Sequence, residues 1–228
     1  MANNGEKKIK IVKCGPYIVS GGVPLSEKII VPKGHHYEFQ QGREFPLQEE
    51  YALCRCGRSN NAPFCDGSHE KAGFVGAETA SRAAYCDRAT VQHGPDLDLL
   101  DDNRCAYARF CHREEGNVWA LTSKSDDPEL KREAIQAASD CPSGRLVALD
   151  EEGNPIEHEF EPSIELLQDP QEGASGPLFV KGKIPIESAD GTTYELRNRV
   201  TLCRCGRSTR IPFCDATHVS VKFSDKKR

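Results

Sequence analysis

Aromatic side chains make up only 7% of the 228 residues, with a single Trp and a single Met, and hydrophobic residues reach 37% at a mean hydropathy of −0.59. So little apolar material excludes one thick core and favours several small modules stapled by something besides apolar burial. No apolar run approaches membrane-spanning length, which excludes a spanning helix. The opening Met1–Lys10 has no apolar signal segment, carries Glu6 and is not rich in Arg or Ser, so a cytoplasmic protein without a membrane partner is expected. Also missing are a Gly-x4-Gly-Lys-Ser/Thr phosphate loop, a Gly-x-Gly-x2-Gly turn, a Gly-x-Ser-x-Gly elbow and a His-Glu-x2-His pair. A substrate-turning enzyme is therefore not expected. The net charge of −5 and the few aromatics argue against a nucleic-acid partner.

What is abundant is cysteine, eleven in all. In a reducing compartment that number points to metal ligation rather than disulfides. Six of the eleven lie in two stretches with identical spacing. Cys54-Arg-Cys56-Gly-Arg-Ser59 leads to Pro63-Phe-Cys65-Asp66-Gly67-Ser68-His69, and Cys203-Arg-Cys205-Gly-Arg-Ser208 leads to Pro212-Phe-Cys214-Asp215-Ala216-Thr217-His218. Each offers three thiolates and an imidazole, the donor set for one tetrahedral metal or a two-iron cluster. In an extended segment Cys54 and Cys56 point to one face. Cys65 and His69, four apart, share a face if a helical turn starts there, and Asp66 is placed to cap it. Ligand count alone leaves zinc open.

Both stretches resemble the CDGSH iron-sulfur family, whose signature is Cys-x-Cys-x2-Ser/Thr-x3-Pro-x-Cys-Asp-Gly-Ser/Ala/Thr-His. The first copy fits throughout, and the second departs only at Ala216. The resemblance implies two [2Fe-2S] clusters, with Cys54 and Cys56 on an inner iron and Cys65 and His69 on an outer one. Cys203, Cys205, Cys214 and His218 would repeat the arrangement. An imidazole in place of a thiolate removes one negative charge and raises the reduction potential. It also makes the site acid-sensitive, because the ligand must be unprotonated. Arg55, Arg58, Arg204 and Arg207 either offset cluster charge or form solvated positive loops.

The repeat is longer than the motif. Gly15–Leu25 has a counterpart in Gly176–Ile186, and the first copy carries twelve more residues between that segment and its cysteines. Each unit reads as a β-hairpin, a cluster loop and a short strand reaching Phe74 or Phe223, with Ile18, Val23, Phe179 and Ile184 as core. Lys8–Val12 reads as a further strand. Cys14 has Ser175 at the equivalent position of the repeat and reads as a free thiol. Family members pair two such units, so the resemblance implies an internal pseudo-twofold in a monomeric chain. The expected fold class is α+β, with units at residues 1–75 and 171–228 and a different module at 76–170.

That middle module contains Cys105-Ala-Tyr-Ala108-Arg-Phe-Cys111 and, later, Cys141-Pro142. This resembles single-cluster ferredoxins with Ala108 where a second Cys stands. Three cysteines imply [3Fe-4S]; Cys86 or His112 as a fourth ligand implies [4Fe-4S]; a module with no cluster is the remaining alternative. Asp127 and Pro128 open a helix that ends near Cys141. Glu151–Ile156 reads as a turn, and Asp169–Pro177 as a linker. Residues 86 to 172 hold 21 acidic and 8 basic side chains, so an acidic middle sits between basic outer units. Most of these charges read as serving solubility; a sharper expectation is that the acidic segment docks on the basic units or steers a basic partner, in a salt-sensitive way. Exposed His-ligated iron suits electron exchange or cluster hand-off to a protein acceptor. A zinc-stabilised interaction module is the competing reading, and a coloured protein separates the two.

Overall fold

The computed structural model describes residues 5 to 226. Its outer parts form two sheets on one plan. In the first, β1 (Lys8–Ile11), β2 (Tyr17–Ser20) and β5 (Glu50–Leu53) are antiparallel neighbours, and β14 (Ile186–Glu187) joins β1 in parallel. In the second, β12 (Ser163–Asp169), β13 (Ala174–Lys181) and β15 (Arg199–Leu202) are antiparallel, and β3 (Leu25–Lys33) joins β12 in parallel, with β4 (His36–Glu44) at the edge. The registers correspond: Ile9 faces Val19 and Ile186, and Ile164 faces Val180 and Leu25. Each half lends a strand to the other's sheet, covering an edge that would otherwise present unpaired backbone groups. Tyr17, Val19 and Leu53 from one half pack with Ile164, Val180 and Leu202 from the other in a single core.

The strand exchange corrects the expected hairpin over 15–25. The chain leaves β2 and crosses through Gly21–Pro24 to the other sheet. Tyr17 and Val19 point inward and Ile18 is only half-buried, so the inward parity lies one residue from the expected one; Val23, Phe179 and Ile184 are buried. The extra residues of the first copy lengthen β3 and add β4. The expected linker after Asp169 is instead the turn of the β12–β13 hairpin, which places β12 in the outer sheets. Among the described residues, the short strands expected at Phe74 and Phe223 do not form; Phe74 and Phe223 donate their N–H groups to the carbonyls of His69 (3.0 Å) and His218 (2.9 Å).

Between the outer parts, β6 (Thr90–His93), β7 (Asp98–Asp101), β10 (Leu146–Leu149) and β11 (Pro155–Ile156) make an antiparallel sheet in the order β11-β10-β7-β6. β8 (His112–Arg113) and β9 (Gly116–Asn117) form a small ribbon before α3 (Val118–Thr122) and α4 (Pro128–Ser139). α4 starts where the sequence predicts it, with Asp127 Oδ1 accepting from the Glu129 and Leu130 N–H groups and Pro128 in its first turn. Leu97, Leu99, Val118, Leu121 and three alanines of α4 form the module's own core, with Cys141 buried among them. The short helices α1 (Ser68–Lys71) and α5 (Thr217–Ser220) close the two cysteine loops, and α2 (Tyr85–Arg88) precedes β6. Among the described residues, no helix is long and apolar enough to cross a membrane.

The joint between the middle module and the outer sheets depends on direction as well as charge. Arg199, 1% exposed on β15, donates to the carbonyls of Cys141 (2.8 Å), Ala138 (2.9 Å) and Leu146 (3.0 Å) and pairs with Glu157. Other ion pairs across the joint run the opposite way, with Arg88 of the acidic segment meeting Glu195. The Arg199–Glu157 pair, whose guanidinium is buried, is screened weakly by salt, unlike the loose electrostatic docking expected from charge totals. Arg199→Ala strands three buried carbonyls and a carboxylate, so it is expected to lower stability by about 3–5 kcal/mol. Urea unfolding followed by circular dichroism measures that loss, and raising salt from low to moderate ionic strength is expected to leave the wild-type midpoint nearly unchanged.

Candidate metal centres

β5 and β15 each end directly at a Cys-x-Cys pair, and the loop that follows folds back on the strand end. The Cys54 N–H donates to Pro63 O (2.8 Å) and the Cys65 N–H to Ala52 O (2.9 Å). Cys203 to Pro212 O (2.7 Å) and Cys214 to Thr201 O (2.9 Å) repeat this. The Ala62–Pro63 and Ile211–Pro212 peptides are both cis. Inside each loop, Ser59 Oγ donates to Phe64 O (2.6 Å) and accepts from Asn61 N–H; Ser208 Oγ does the same with Phe213 O (2.7 Å) and Arg210 N–H.

These loops bring the eight expected ligands together as four pairs. Cys54 Sγ lies 3.7 Å from Cys56 Sγ, and Cys65 Sγ lies 3.4 Å from His69 Nδ1. In the second site the separations are 3.6 Å for Cys203 and Cys205 and 3.4 Å for Cys214 and His218. Two ligands at tetrahedral angle on one metal, with bonds of about 2.0–2.3 Å, stand roughly 3.4–3.8 Å apart. Each pair therefore has the span of two ligands on one ion. Among the described residues, no three His, Cys, Asp or Glu side chains converge on a single-ion geometry. The Cys54 thiol is held below its ordinary pKa, first by the hydrogen bond with Cys56 and then by the backbone N–H groups of Ser59, Gly57 and Arg58. Cys203 is lowered in the same way by Cys205 and the amides of Ser208, Gly206 and Arg207. A thiolate at either position is thus stabilised by main-chain dipoles before any metal charge is counted.

Asp66 acts one residue earlier than a conventional cap. Gly67 holds the N-cap position at φ 82°, and Asp66 bridges the turn by accepting from Ser68 N–H (3.0 Å) and Asn60 N–H (2.8 Å). Asp215 does the same with Thr217 (3.1 Å) and Thr209 (2.7 Å), but the cap is Ala216 at φ 69°. The one departure from the signature thus places a methyl-bearing residue in left-handed backbone.

The motif arginines divide by position. Arg58 and Arg207 are exposed. Arg55 and Arg204, at 2% and 3% exposure, are struts rather than solvated charges. Arg55 donates to the carbonyls of Gly15 (2.8 Å), Val12 (2.9 Å) and Gly76 (2.8 Å) and lies over the Phe74 ring. Arg204 donates to Gly176 O (2.6 Å) and Leu167 O (3.0 Å), pairs with buried Asp225 and lies over Phe223. Tyr17, which the repeat gave no reason to single out because Leu178 is its counterpart, reaches across and donates to Cys203 O at 2.8 Å. Cys14 is exposed.

The sites differ in surroundings. His69 and Cys65 are half-buried, whereas Cys214 and His218 are buried. Burial pushes the Cys214 thiol well up, and burial followed by the Arg204 charge lowers His218 to about 4.

In the middle module, burial and then the charges of Cys141 and Cys105 push the Cys111 thiol up to about 12, so these three cysteines share one neighbourhood. Cys105 Sγ accepts from Tyr107 N–H (3.3 Å), and Cys141 Sγ lies 3.3 Å from Ser143 Oγ. Ala108, standing where a ferredoxin has cysteine, is buried with Phe110 of its own module in a cluster with Ile30, Leu167 and Phe179 of the second sheet. A thiol there would serve that contact rather than a cluster. Cys86 and His112 are both exposed.

Comparison with known proteins gives two findings. Residues 14–70 and 175–219 match the family described as iron-binding zinc finger, CDGSH type. Residues 93–151 match the divergent 4Fe-4S mono-cluster family. No curated protein and no solved structure matches the chain.

The cap asymmetry yields a paired expectation. Ala216→Gly relieves left-handed strain and is expected to stabilise the protein by about 1 kcal/mol. Gly67→Ala, where a Cβ would meet nothing within 4 Å, is expected to cost a similar amount through backbone strain alone. Urea midpoints of the two variants against wild type measure both.

Proposed function

From the premise that this chain carries two CDGSH-type segments around a divergent 4Fe-4S mono-cluster segment, we propose that it is an iron-sulfur protein holding one [2Fe-2S] cluster in each Cys3His site. It serves electron transfer or cluster transfer to a protein acceptor and turns over no substrate of its own. The observation that carries this reading is the pairing of the ligands. Zinc in a Cys3His site needs all four donors around one ion, each about 3.4–3.8 Å from the others. Here the donors come as Cys54 with Cys56 and Cys65 with His69, repeated as Cys203 with Cys205 and Cys214 with His218. Two ions bridged by sulfide fit that division.

The cluster, when bound, supplies one-electron redox chemistry. The chain supplies the rest: backbone N–H groups stabilise the inner thiolates, the serine and aspartate contacts hold loop geometry, and the arginine struts anchor each loop to its sheet. The reciprocal strand exchange and matched registers support an internal pseudo-twofold, which makes the chain a self-contained equivalent of a dimer. A monomer in solution is expected. The middle cysteines support a second, added reading, a third cluster held by Cys105, Cys111 and Cys141; the match of 93–151 favours it.

Protein made under anaerobic, iron-replete conditions is expected to be red or brown with about four iron and four sulfide per chain, and more if the middle site fills. A colourless protein with stoichiometric zinc defeats the reading. His69→Cys adds a thiolate charge and is expected to lower that site's potential, measured by redox titration followed by electron paramagnetic resonance. Cys105→Ala lowers the iron count only if the third site is occupied.

A further inference from the structure

The two sites share every ligand and most loop contacts, yet their outer faces differ. His69 keeps 17% of its side-chain surface in solvent, and Cys65 beside it is half-buried. His218 and Cys214 keep only 4% and 3% of their residue surface. The cause lies in the strands that precede each unit. Ile9 pairs with Val19 and Ile164 with Val180, so the connection at the second site is six residues longer. In the first unit the short connection leaves Val12, Lys13 and Cys14 exposed. In the second, the longer one sets the 170–173 turn against the chain just past α5, where Lys222 Nζ reaches Glu172 O and His218 is buried.

That cover is pinned from three sides. Arg109, reaching over from the middle module, holds Asp169 through Nη1 (2.7 Å) and Nη2 (3.0 Å). Lys222, just past α5, donates to Glu172 O (2.7 Å), and the Ser175 N–H donates to Phe223 O (2.7 Å). On the Cys214 side, the middle module's Arg104 lies over the Phe213 ring at 4.3 Å, and Arg210 donates to Asn103 O (2.9 Å). At the first site, among the described residues, the corresponding turn is shorter: a Cβ at Gly15 would stand 3.7 Å from His69 Nε2, but Val12, Lys13 and Cys14 stay exposed and the ring keeps part of its surface in solvent.

We propose that the two sites are functionally distinct: the Cys65–His69 face is the port at which an acceptor protein engages its cluster, and the Cys214–His218 face is sealed by the β12–β13 turn and Arg109. This rests on the iron-sulfur reading and adds a division of labour to it. An acceptor's thiols can approach the first outer iron position, whereas the second is screened by the chain itself and keeps what it holds.

The test follows iron release from the full-length, cluster-loaded protein to a ferrous chelator under reducing conditions. Two phases from the outer sites are expected, separated by at least about tenfold in rate because access to a metal site follows its covering shell. His69→Cys is expected to change the fast phase alone and His218→Cys the slow phase alone. Arg109→Ala, which unpins Asp169, is expected to speed the slow phase and leave the fast one unchanged. If the His variants unfold, the wild-type phases and the Arg109 variant still decide. Equal rates at both sites, or a fast phase assigned to His218, overturn the proposal while leaving the iron-sulfur reading intact. A protein isolated without iron and sulfide overturns both.

Discussion

A Cβ atom at Gly57 would stand 2.6 Å from the carbonyl oxygen of Cys205, and one at Gly206 would stand 2.7 Å from that of Cys56. The two ligand loops thus lie back to back at the limit of main-chain approach, and both glycines sit at φ 70°. Only glycine meets both demands without clash or strain. This contact sets the relation between the two sites and constrains everything around them. Strands that lead into the loops must converge from opposite sheets, and those sheets close by trading β3 and β14 across the boundary. Tyr17 reinforces the arrangement by reaching from one half to the backbone of the other half's loop.

Loops this small have little apolar surface to bury, so polar accounting holds them in shape. Serine, aspartate and arginine at matching positions satisfy backbone groups that no strand or helix claims. The letters of the motif beyond its ligands are therefore scaffold. Ser59 and Ser208 cinch the loop, Asp66 and Asp215 span it to the following turn, Arg55 fastens the first loop to the β1–β2 connection, and Arg204 fastens the second to β12 and β13. Burying a guanidinium between two cysteine ligands is tolerable because its N–H groups find carbonyl acceptors or a carboxylate.

The middle module breaks the symmetry. Arg199 and Arg109 both bind it to the second unit, and through Asp169 the latter also fixes the cover over His218. Motifs with the same cysteines and histidine consequently sit in different surroundings, one open and one enclosed. The same packing explains Ala108, whose position is spent on the contact with the second sheet rather than on a fourth cysteine. The joint is made chiefly by the directional bonds of buried Arg199, with Arg88 and Glu195 pairing nearer the surface.

By itself the sequence determined the donor sets, the cap and first turn of α4, and the existence of a repeat, because ligand spacing, capping and periodicity are local and act over a few residues. It did not reveal the strand exchange. A segment reading Tyr-Ile-Val-Ser followed by Gly-Gly-Val-Pro-Leu pairs equally well as a hairpin or across two sheets, and inward parity at Ile18 depends on which partner is chosen. Nor could it separate the buried Arg55 and Arg204 from the exposed Arg58 and Arg207, since all four are the same residue in the same motif. Tertiary structure decided those points and the unequal covering of His69 and His218. Burial is a property of what packs against a side chain, and here that is a six-residue extension and an arginine from distant parts of the chain.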